Sequence, residues 1–452
     1  MSTRAADAAS WAPLPPHVRA GGVALDDDAA AEQVLTGALQ WLEAQVEWFA
    51  PGRWEEFLPR RPFRPGPLLE LLGLLRILER AGVLSMNAPL TRHALDIAQE
   101  TADEPDFGHG LRRADEFFPY HLNFIGLLEL LGRPRAELRA DCQALLTADA
   151  GGHTRAYKPV LNRIELRYFV DRGHFTAPSR LPDIGTLHRQ SIAALDPDVL
   201  RLTESETYAF THVLFYTTDF GHHRDVLRDG GSETRLHEAV RALLGLHLAR
   251  GSLDLLAELL LCERVLDGGG GPGPLTNQAW NALARAQRPD GALPSPVHRP
   301  EVLAGLGGDK ATAYLFGTCY HTTQAAALAA VAHLRASAAE VRTPRRTAPA
   351  EHLLPCADPE EIRHWARQVT TAAPTATAEA RAAWSAHLDP LLALTVRQRD
   401  RAVLADLLHA AEHLGQSNRP LVRSAATLLG LWTQRPAPDR DLPRGGGPPA
   451  QG

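Results

Sequence analysis

Apolar residues recur at helical spacing along most of this chain, and this pattern limits the folds open to it. Leu35, Leu39, Leu42, Val46 and Phe49 form one stripe with steps of four and three residues. No segment shows the β-branched, period-two pattern that is typical of a strand. The sequence therefore predicts an all-α fold.

The predicted helices differ in how apolar they are. Leu68–Ala81 (LLELLGLLRILERA) is apolar on most sides, as a buried helix is. From residue 233 onward, charged amphipathic helices alternate with mostly apolar ones, an order typical of the outer and inner helices of an α/α toroid or solenoid. The other predicted helices are Arg92–Thr101, Tyr120–Leu131, Arg135–Leu146, Val160–Val170, Gly185–Leu195, Glu204–Asp219, Glu233–Ala249, Leu253–Leu266, Leu275–Gln287, Tyr320–Leu334, Glu360–Val369, Glu379–Leu394, Arg397–Leu414 and Pro420–Leu431.

Composition divides the chain into five parts. Residues 1–30 are rich in Ala, Asp and Pro and are expected to be disordered, whereas residues 31–335 are expected to form the toroid domain. Residues 336–359 are expected to form a linker, because Pro and Thr interrupt the helical periodicity there. Residues 360–434 predict a C-terminal helical segment, and residues 435–452 predict a disordered tail.

Charge and cysteine content exclude several classes of protein. The 452 residues carry a net charge of −6 without a basic stripe, so nucleic acid is not an expected partner. No apolar run reaches the ~18 residues of a membrane span, and the N-terminus lacks the apolar core of a signal peptide. The four cysteines lie far apart, and none forms a CxxC pair. We therefore expect a soluble cytoplasmic protein with free thiols.

The segment Gln287–Leu293 (QRPDGAL) follows one predicted helix, and a later helix is predicted to begin at Tyr320. The segment resembles the QW-type repeat of squalene-type cyclases, with Gln287 and Gly291 in place and Leu293 where that motif has Trp. The chain thus resembles the α/α toroids, which include terpenoid cyclases and protein prenyltransferase β subunits. The resemblance implies a toroid with its chemistry at one end of the inner helices. An ordinary Pro–Asp–Gly turn is the alternative interpretation.

Tyr320–His321–Thr322 resembles the start of an inner helix in protein prenyltransferase β subunits, where the histidine binds zinc. The resemblance implies that His321 is a zinc ligand and that Tyr320 is a pocket wall. The Asp–x–Cys pair of that family is absent, and Asp254 and Cys262 are the candidate ligands on the preceding apolar helix. Zinc needs three or four correctly spaced ligands. A histidine that only caps its helix is the alternative.

Polar side chains recur on one face of three largely apolar helices. They are Asp254, Glu258 and Cys262 on one helix, Tyr208, His212, Tyr216 and Asp219 on another, and His321 with Gln324 on the third. Residues four apart share a helical face, and buried polar groups are costly unless they are paired or solvated. We therefore expect these faces to converge on a polar cavity. We expect catalytic roles for His212, Asp219, Glu258 and His321 and pocket positions for Tyr208, Tyr216, Tyr320 and Gln324.

Each of these residues also has a structural interpretation. Asp254 could cap its own helix, Glu258 could pair at the surface, and His212 could be a satisfied core histidine. Asp219 ends its helix, where the helix dipole disfavours a carboxylate. A partner for it is therefore expected from Thr218, His222 or His223, with a solvated helix end as the alternative.

Two functions agree with these patterns. The first is an enzyme that acts on an apolar or peptide-like small molecule in the cavity, with zinc as its possible cofactor. The second is a non-catalytic helical scaffold that binds a protein partner. The Asp–x–Asp–Asp and Asp–Asp–x–x–Asp patterns of the two classes of terpenoid cyclase are absent, so the sequence predicts no particular reaction.

Overall fold

The computed structural model describes residues 25–227, 232–266, 273–339 and 353–434. Within these residues the chain forms 19 α-helices and no strand, which confirms the predicted all-α class. The helices are α1 (Asp27–Ala44), α2 (Pro51–Phe57), α3 (Gly66–Arg80), α4 (Pro89–Asp103), α5 (Pro105–Arg113), α6 (Phe118–Leu130), α7 (Ala136–Thr147), α8 (Val160–Arg172), α9 (Ile184–His188), α10 (Glu204–Thr218), α11 (Ser232–Arg250), α12 (Leu253–Val265), α13 (Pro274–Ala286), α14 (Pro300–Ala304), α15 (Gly308–Ala339), α16 (Pro359–Ala372), α17 (Ala378–Gln398), α18 (Arg401–His413) and α19 (Pro420–Gln434).

Six of these helices contact one another in an order that returns to its start. Helix α3 contacts α6, α6 contacts α8, α8 contacts α10, α10 contacts α12, α12 contacts α15, and α15 contacts α3. Helix α12 buries every residue except Glu263. A helix that is apolar nearly all round must be covered on all sides, and α12 is covered by α10, α11, α13 and α15.

A second set of helices packs against these six. Helix α1 contacts α15, α4 contacts α3, α7 contacts α6, α9 contacts α8 and α10, and both α11 and α13 contact α12. Some of these helices are amphipathic. In α4, for example, the buried residues Leu90, Ala94, Ile97 and Thr101 recur every three or four positions and define one inward face.

The C-terminal helices pack against this assembly through α17, which contacts α11 and α13. Pro390 lies inside α17. A Cβ atom at Gly245 of α11 would lie 2.3 Å from the Cγ atom of Pro390. Glycine at position 245 therefore permits the close approach of α11 and α17. Helix α18 contacts α16, α17 and α19 and completes this segment.

The start of α15 contradicts the sequence prediction. The predicted helix begins at Tyr320, whereas α15 begins at Gly308 and runs for 32 residues. Ala313, Phe316 and Tyr320 are buried at helical spacing, so the inward stripe extends well before the Tyr–His pair. His321 therefore lies in the middle of a helix and is not a helix cap.

Several predicted boundaries shift by a few residues. Helix α1 begins at Asp27 inside the predicted segment 1–30, and α15 extends to Ala339 inside the predicted linker 336–359. Helix α9 is shorter than the predicted Gly185–Leu195. The rest of the predicted N-terminal segment up to residue 24, residues 340–352 of the linker and the predicted tail 435–452 lie outside the described residues. None of the described helices combines the length and apolar character that a membrane crossing requires.

The turn after α13 joins this helix to α1. The Nε2 atom of Gln287 donates hydrogen bonds to the carbonyl oxygens of Val34 and Gly291, both at 3.0 Å. Gly291 has a φ of 92°, in the left-handed region that favours glycine, and it packs directly against the backbone of Gly37. The Gln and Gly of this turn thus have a structural role, because they connect one helix end to a helix about 250 residues earlier in the chain.

Candidate functional site

Two carboxylates of α12 and one histidine of α15 form a compact buried group. Asp254 and Glu258 are four residues apart and lie on one face of α12. Asp254, Glu258 and His321 each offer one ligand atom, and these three atoms all lie within 4.8 Å of one another. The Nε2 atom of His321 is 3.7 Å from Oδ1 of Asp254. We call Asp254, Glu258 and His321 the triad below.

Each member of the triad forms a hydrogen bond with a neighbouring side chain. The hydroxyl of Tyr208 donates to Oδ2 of Asp254 at 2.5 Å, and the hydroxyl of Thr211 donates to Oε2 of Glu258 at 2.5 Å. The Nδ1 atom of His321 lies 2.8 Å from Oε2 of Glu70. Oδ1 of Asp254 is buried and accepts no hydrogen bond from any residue that the structure describes. The triad is therefore oriented by an outer layer, as the side chains of metal sites commonly are.

Burial and charge displace the pKa values of two triad members. Burial alone would lower the pKa of His321, but Glu70 and Asp254 raise it to about 10. The His321 side chain is 42% exposed, because it lines the cavity described next. The effect of the neighbouring carboxylates on its pKa therefore exceeds the effect of burial. Burial also raises the pKa of Glu258, although His212 opposes this effect.

The triad borders a cavity of about 590 Å³. The cavity is lined by α3, α6, α8, α10, α12 and α15, the six helices whose successive contacts return to the first helix. Glu258 and His321 line it directly. The apolar part of the wall includes Leu69, Leu74, Ile77, Leu161, Phe169, Phe215, Phe220, Leu261 and Leu328, and the polar part includes Arg61, Glu70, Tyr120, Asn123, Glu165, Arg172, His212, Tyr216 and Gln324. Small-molecule sites combine an apolar wall with a few convergent polar groups in this way.

Glu165 of α8 is the centre of a second polar group in the cavity. It accepts a hydrogen bond from Tyr216 at 3.3 Å, and the hydroxyl of Tyr120 also donates to it. Burial raises the pKa of Glu165 to about 7, against the opposing effects of His212, Tyr216 and Tyr120. Nδ1 of His212 donates to the Tyr208 carbonyl at 2.8 Å. A carboxyl group that titrates near neutral pH can both give and accept a proton.

Glu165 makes the stability of the protein depend on pH. Its folded-state pKa of about 7 exceeds the unfolded value of 4.5, so the folded state binds more protons between these values and stability falls as the pH rises through them. Between pH 4.5 and 7 the free energy of unfolding should fall less in Glu165→Gln than in the wild type, by on the order of 1–3 kcal/mol. Urea unfolding of both proteins at several pH values between about 4.5 and 7 measures it.

Glu129→Gln is the control for this prediction, because Glu129 is a partly exposed carboxylate of α6 outside the cavity. It should follow the wild-type pH profile. A Glu165→Gln profile that is parallel to the wild type between pH 4.5 and 7 would show that Glu165 is not held in the protonated form.

Most of the residues singled out in the sequence meet at this cavity. His212, Glu258, His321, Tyr216 and Gln324 line it. Asp254 joins the triad behind the wall, and Tyr208 orients Asp254. Both polar atoms of the Gln324 side-chain amide are buried, and neither has a hydrogen-bond partner among the residues that the structure describes.

Three of the predicted residues, Cys262, Tyr320 and Asp219, do not line the cavity. Cys262 is buried but does not belong to the triad. It follows Asp254 by eight residues, a rise of about 12 Å along the helix. Tyr320 packs in an aromatic cluster with Phe49, Trp54 and Phe316 and is not part of the cavity wall.

Asp219 is bound by a different set of partners from those expected. Thr218, His222 and His223 were the expected partners, but the described contacts are an ion pair with Arg80 and a hydrogen bond from Tyr168 at 2.8 Å. Arg76 adds a second ion pair at 3.6 Å. These partners belong to α3 and α8 and are distant in sequence, so the local pattern around Asp219 could not indicate them.

Two acidic residues of the site were not predicted from the sequence. Glu70 is the only acidic residue in the apolar first half of Leu68–Ala81, and the cost of burying a lone carboxylate was a signal that could have identified it. Glu165 gives no such signal, because α8 mixes charged and apolar residues throughout.

Comparison with known proteins identifies the chain only at the level of a family. No curated protein and no solved structure matches the chain. A family model described as a domain of unknown function, DUF6895, matches residues 35–331. This range includes the triad, Glu165 and every helix that lines the cavity except the last turns of α15. The chain therefore belongs to the DUF6895 family.

Proposed function

We propose that this protein is an enzyme built as an α/α toroid, with its reaction site in the cavity enclosed by α3, α6, α8, α10, α12 and α15. The closed order of contacts among these helices supports the toroid, as does the second set of helices packed against them. Parallel support comes from the sequence, in which apolar and amphipathic helices alternate. A fold of this kind does not by itself define a reaction.

The observation that carries the proposal is the convergence of Asp254, Glu258 and His321 on the cavity. We propose that the triad binds one divalent transition-metal ion, with zinc as the first candidate. One imidazole and two carboxylates suit such an ion, and zinc sites in enzymes use three protein ligands and keep one position open. The buried Oδ1 atom of Asp254, which accepts no hydrogen bond within the described part of the chain, fits a ligand role. A metal ion in this position would polarise an oxygen of the substrate or lower the pKa of a bound water.

Glu258 replaces Cys262 in this ligand set. The sequence suggested Asp254, Cys262 and His321 as ligands, but the converging atoms belong to Asp254, Glu258 and His321. The outer layer supports the same set, because Tyr208, Thr211 and Glu70 hold these three side chains. Because Nδ1 of His321 donates a hydrogen bond to Glu70, the Nε2 atom of His321 faces Asp254. Carboxylate–histidine pairs of this kind orient metal-bound histidines.

The residues around the triad can supply the proton transfers of the reaction. Glu165 lines the cavity with a pKa of about 7. His212 also lines it, and its charge opposes the rise in the pKa of both Glu165 and Glu258. The apolar wall favours a substrate with an apolar part. We therefore propose metal-assisted acid–base chemistry on a small, partly apolar molecule.

A protonated His321 could also satisfy Glu70 and Asp254 without a metal ion, so the test must separate the two states. Protein freed of metal by a chelator is titrated with ZnCl₂ in a calorimeter at neutral pH. The experiment uses a Cys356→Ser background, because Cys356 and Glu361 form a second thiol–carboxylate pair with Sγ and Oε2 2.8 Å apart. We expect one zinc ion per chain with micromolar or tighter affinity.

The absence of any zinc binding in this titration would contradict the metal-centred enzyme. The same titration with MnCl₂ measures whether the site prefers an ion that favours oxygen ligands. A protein that binds neither ion would leave the non-catalytic scaffold as the better proposal for this chain.

A further inference from the structure

Two arginines, Arg61 and Arg172, line the cavity, and neither has a carboxylate partner in the described part of the chain. Arg172 ends α8 and lines the cavity. Among the described residues, no carboxylate lies within ion-pair distance of it, although most arginines near it are paired. It donates to the hydroxyl of Tyr168 at 3.1 Å and to Oδ1 of Asn123. A guanidinium has five N–H donors, so three remain available.

The Arg172 side chain is held in place before any ligand binds. Its guanidinium lies over the ring of Tyr168, 4.7 Å from the centroid, and 5.6 Å from the centroid of Phe169. Asn123, which also lines the cavity, accepts a hydrogen bond from the second terminal nitrogen of the guanidinium, Nη2. Stacking and two hydrogen bonds therefore fix the plane of the donors, which reduces the entropy lost when an anion binds.

The surroundings of Arg172 carry an excess of positive charge. Arg76 and Arg80 of α3 lie nearby, and both pair with the single carboxylate of Asp219. This group of three arginines thus contains a single carboxylate, which pairs with Arg76 and Arg80. Burial lowers the pKa of Arg76, and the positive charge of Arg172 lowers it further. An anion bound at Arg172 would relieve this repulsion.

The positive end of the cavity is separated from its acidic groups. Arg172 follows Glu165 by seven residues on α8, which places both on one helical face about 10.5 Å apart along the axis. Phe169 and Phe215 contribute apolar wall to the same cavity. Burial holds Glu165 mainly in its neutral form below about pH 7, so it does not strongly repel an anion.

We propose that the cavity binds an organic anion with an apolar body, whose carboxylate or phosphate group pairs with Arg172 while its other end reaches Glu165 and the triad. This inference rests on the proposal that the cavity is the substrate site. Arginine binds planar carboxylates and phosphates through two parallel hydrogen bonds, and the remaining donors of Arg172 supply them. Arg172 is thus a specificity-determining residue for the anionic group.

The test measures binding of three eight-carbon ligands, octanoate, octyl phosphate and octanamide, to metal-free protein by calorimetry. Without metal, the outcome does not depend on whether the triad binds zinc. We expect octanoate to bind at least about tenfold more tightly than octanamide, because a hydrogen-bonded charge contributes that much. Octyl phosphate binding more tightly than octanoate would identify phosphate as the head group, and the reverse order would identify carboxylate.

Arg172→Met keeps an unbranched side chain over Tyr168 and removes the charge. It should weaken octanoate binding at least about tenfold and leave octanamide binding unchanged. Arg139→Met is the matched control, because Arg139 also stacks on an aromatic ring, 4.3 Å from the centroid of Phe175, but does not line the cavity. It should bind all three ligands as the wild type does.

Arg172→Lys provides a second variant that keeps the charge if the methionine variant fails to fold. It should still weaken octanoate binding, because lysine cannot make the paired hydrogen bonds. Octanoate that does not bind the wild type, that binds no better than octanamide, or that binds the Arg172 variants as well as the wild type would overturn the proposal.

Discussion

Replacing Gly291 by alanine is expected to lower the free energy of unfolding by about 2–5 kcal/mol. Its φ of 92° is unfavourable for a residue with a side chain, which costs about 1–2 kcal/mol. A Cβ atom would also lie 2.1 Å from the carbonyl oxygen and 2.6 Å from the carbonyl carbon of Gly37. Both are backbone atoms of α1, so relief requires a shift of the helix, at a further cost of about 1–3 kcal/mol.

Urea denaturation of Gly291→Ala measures this cost, and Gly82→Ala is the matched control. Gly82 has a similar φ of 72°, but a Cβ atom at this position would have no other atom within 4 Å. The control should therefore lose only the conformational part, about 1–2 kcal/mol. Equal losses for the two variants would show that the turn after α13 does not dock on α1 as described.

Replacing Glu258 by glutamine is expected to weaken zinc binding more than about a hundredfold. Outer-layer substitutions at metal sites already cost about 10–100-fold, and this change removes the charge of a ligand itself. The buried side chain keeps its size and can still accept the hydrogen bond of Thr211. Calorimetric titration of metal-free protein with ZnCl₂ measures the change.

Cys262→Ala distinguishes the two possible ligand sets in the same experiment. The sequence suggested Cys262 as a ligand, whereas the geometry favours Glu258. We expect the affinity of the Cys262 variant for zinc to equal that of the wild type. A large loss in this variant with little change in Glu258→Gln would instead support the thiol as the ligand.

The helical class and part of the site were predictable from local patterns. A spacing of four residues places Asp254 and Glu258 on one face of a helix, and a spacing of three does the same for His321 and Gln324. The apolar character of α12 indicated that its carboxylates are buried. Local periodicity thus identified polar faces that need partners, and the structure brings most of them to one cavity.

The partners of these faces could not be predicted in the same way. Glu70 and His321 are separated by 251 positions in the sequence, and a helix pattern carries no information about which distant helix packs beside it. The same holds for the pairing of Asp219 with Arg80, 139 positions away. The predicted start of α15 is wrong, because the Tyr–His pair does not mark a helix start and Ala313 and Phe316 extend the buried stripe before it.

Crystals of the protein grown with ZnCl₂ and measured at the zinc absorption edge test the central proposal most directly. We predict one strong anomalous peak between Asp254, Glu258 and His321, about 2.0–2.2 Å from one atom of each side chain. The peak should lie at the wall of a cavity enclosed by α3, α6, α8, α10, α12 and α15. A triad without a peak, with His321 still bonded to Glu70 and Asp254, would contradict the proposed metal centre.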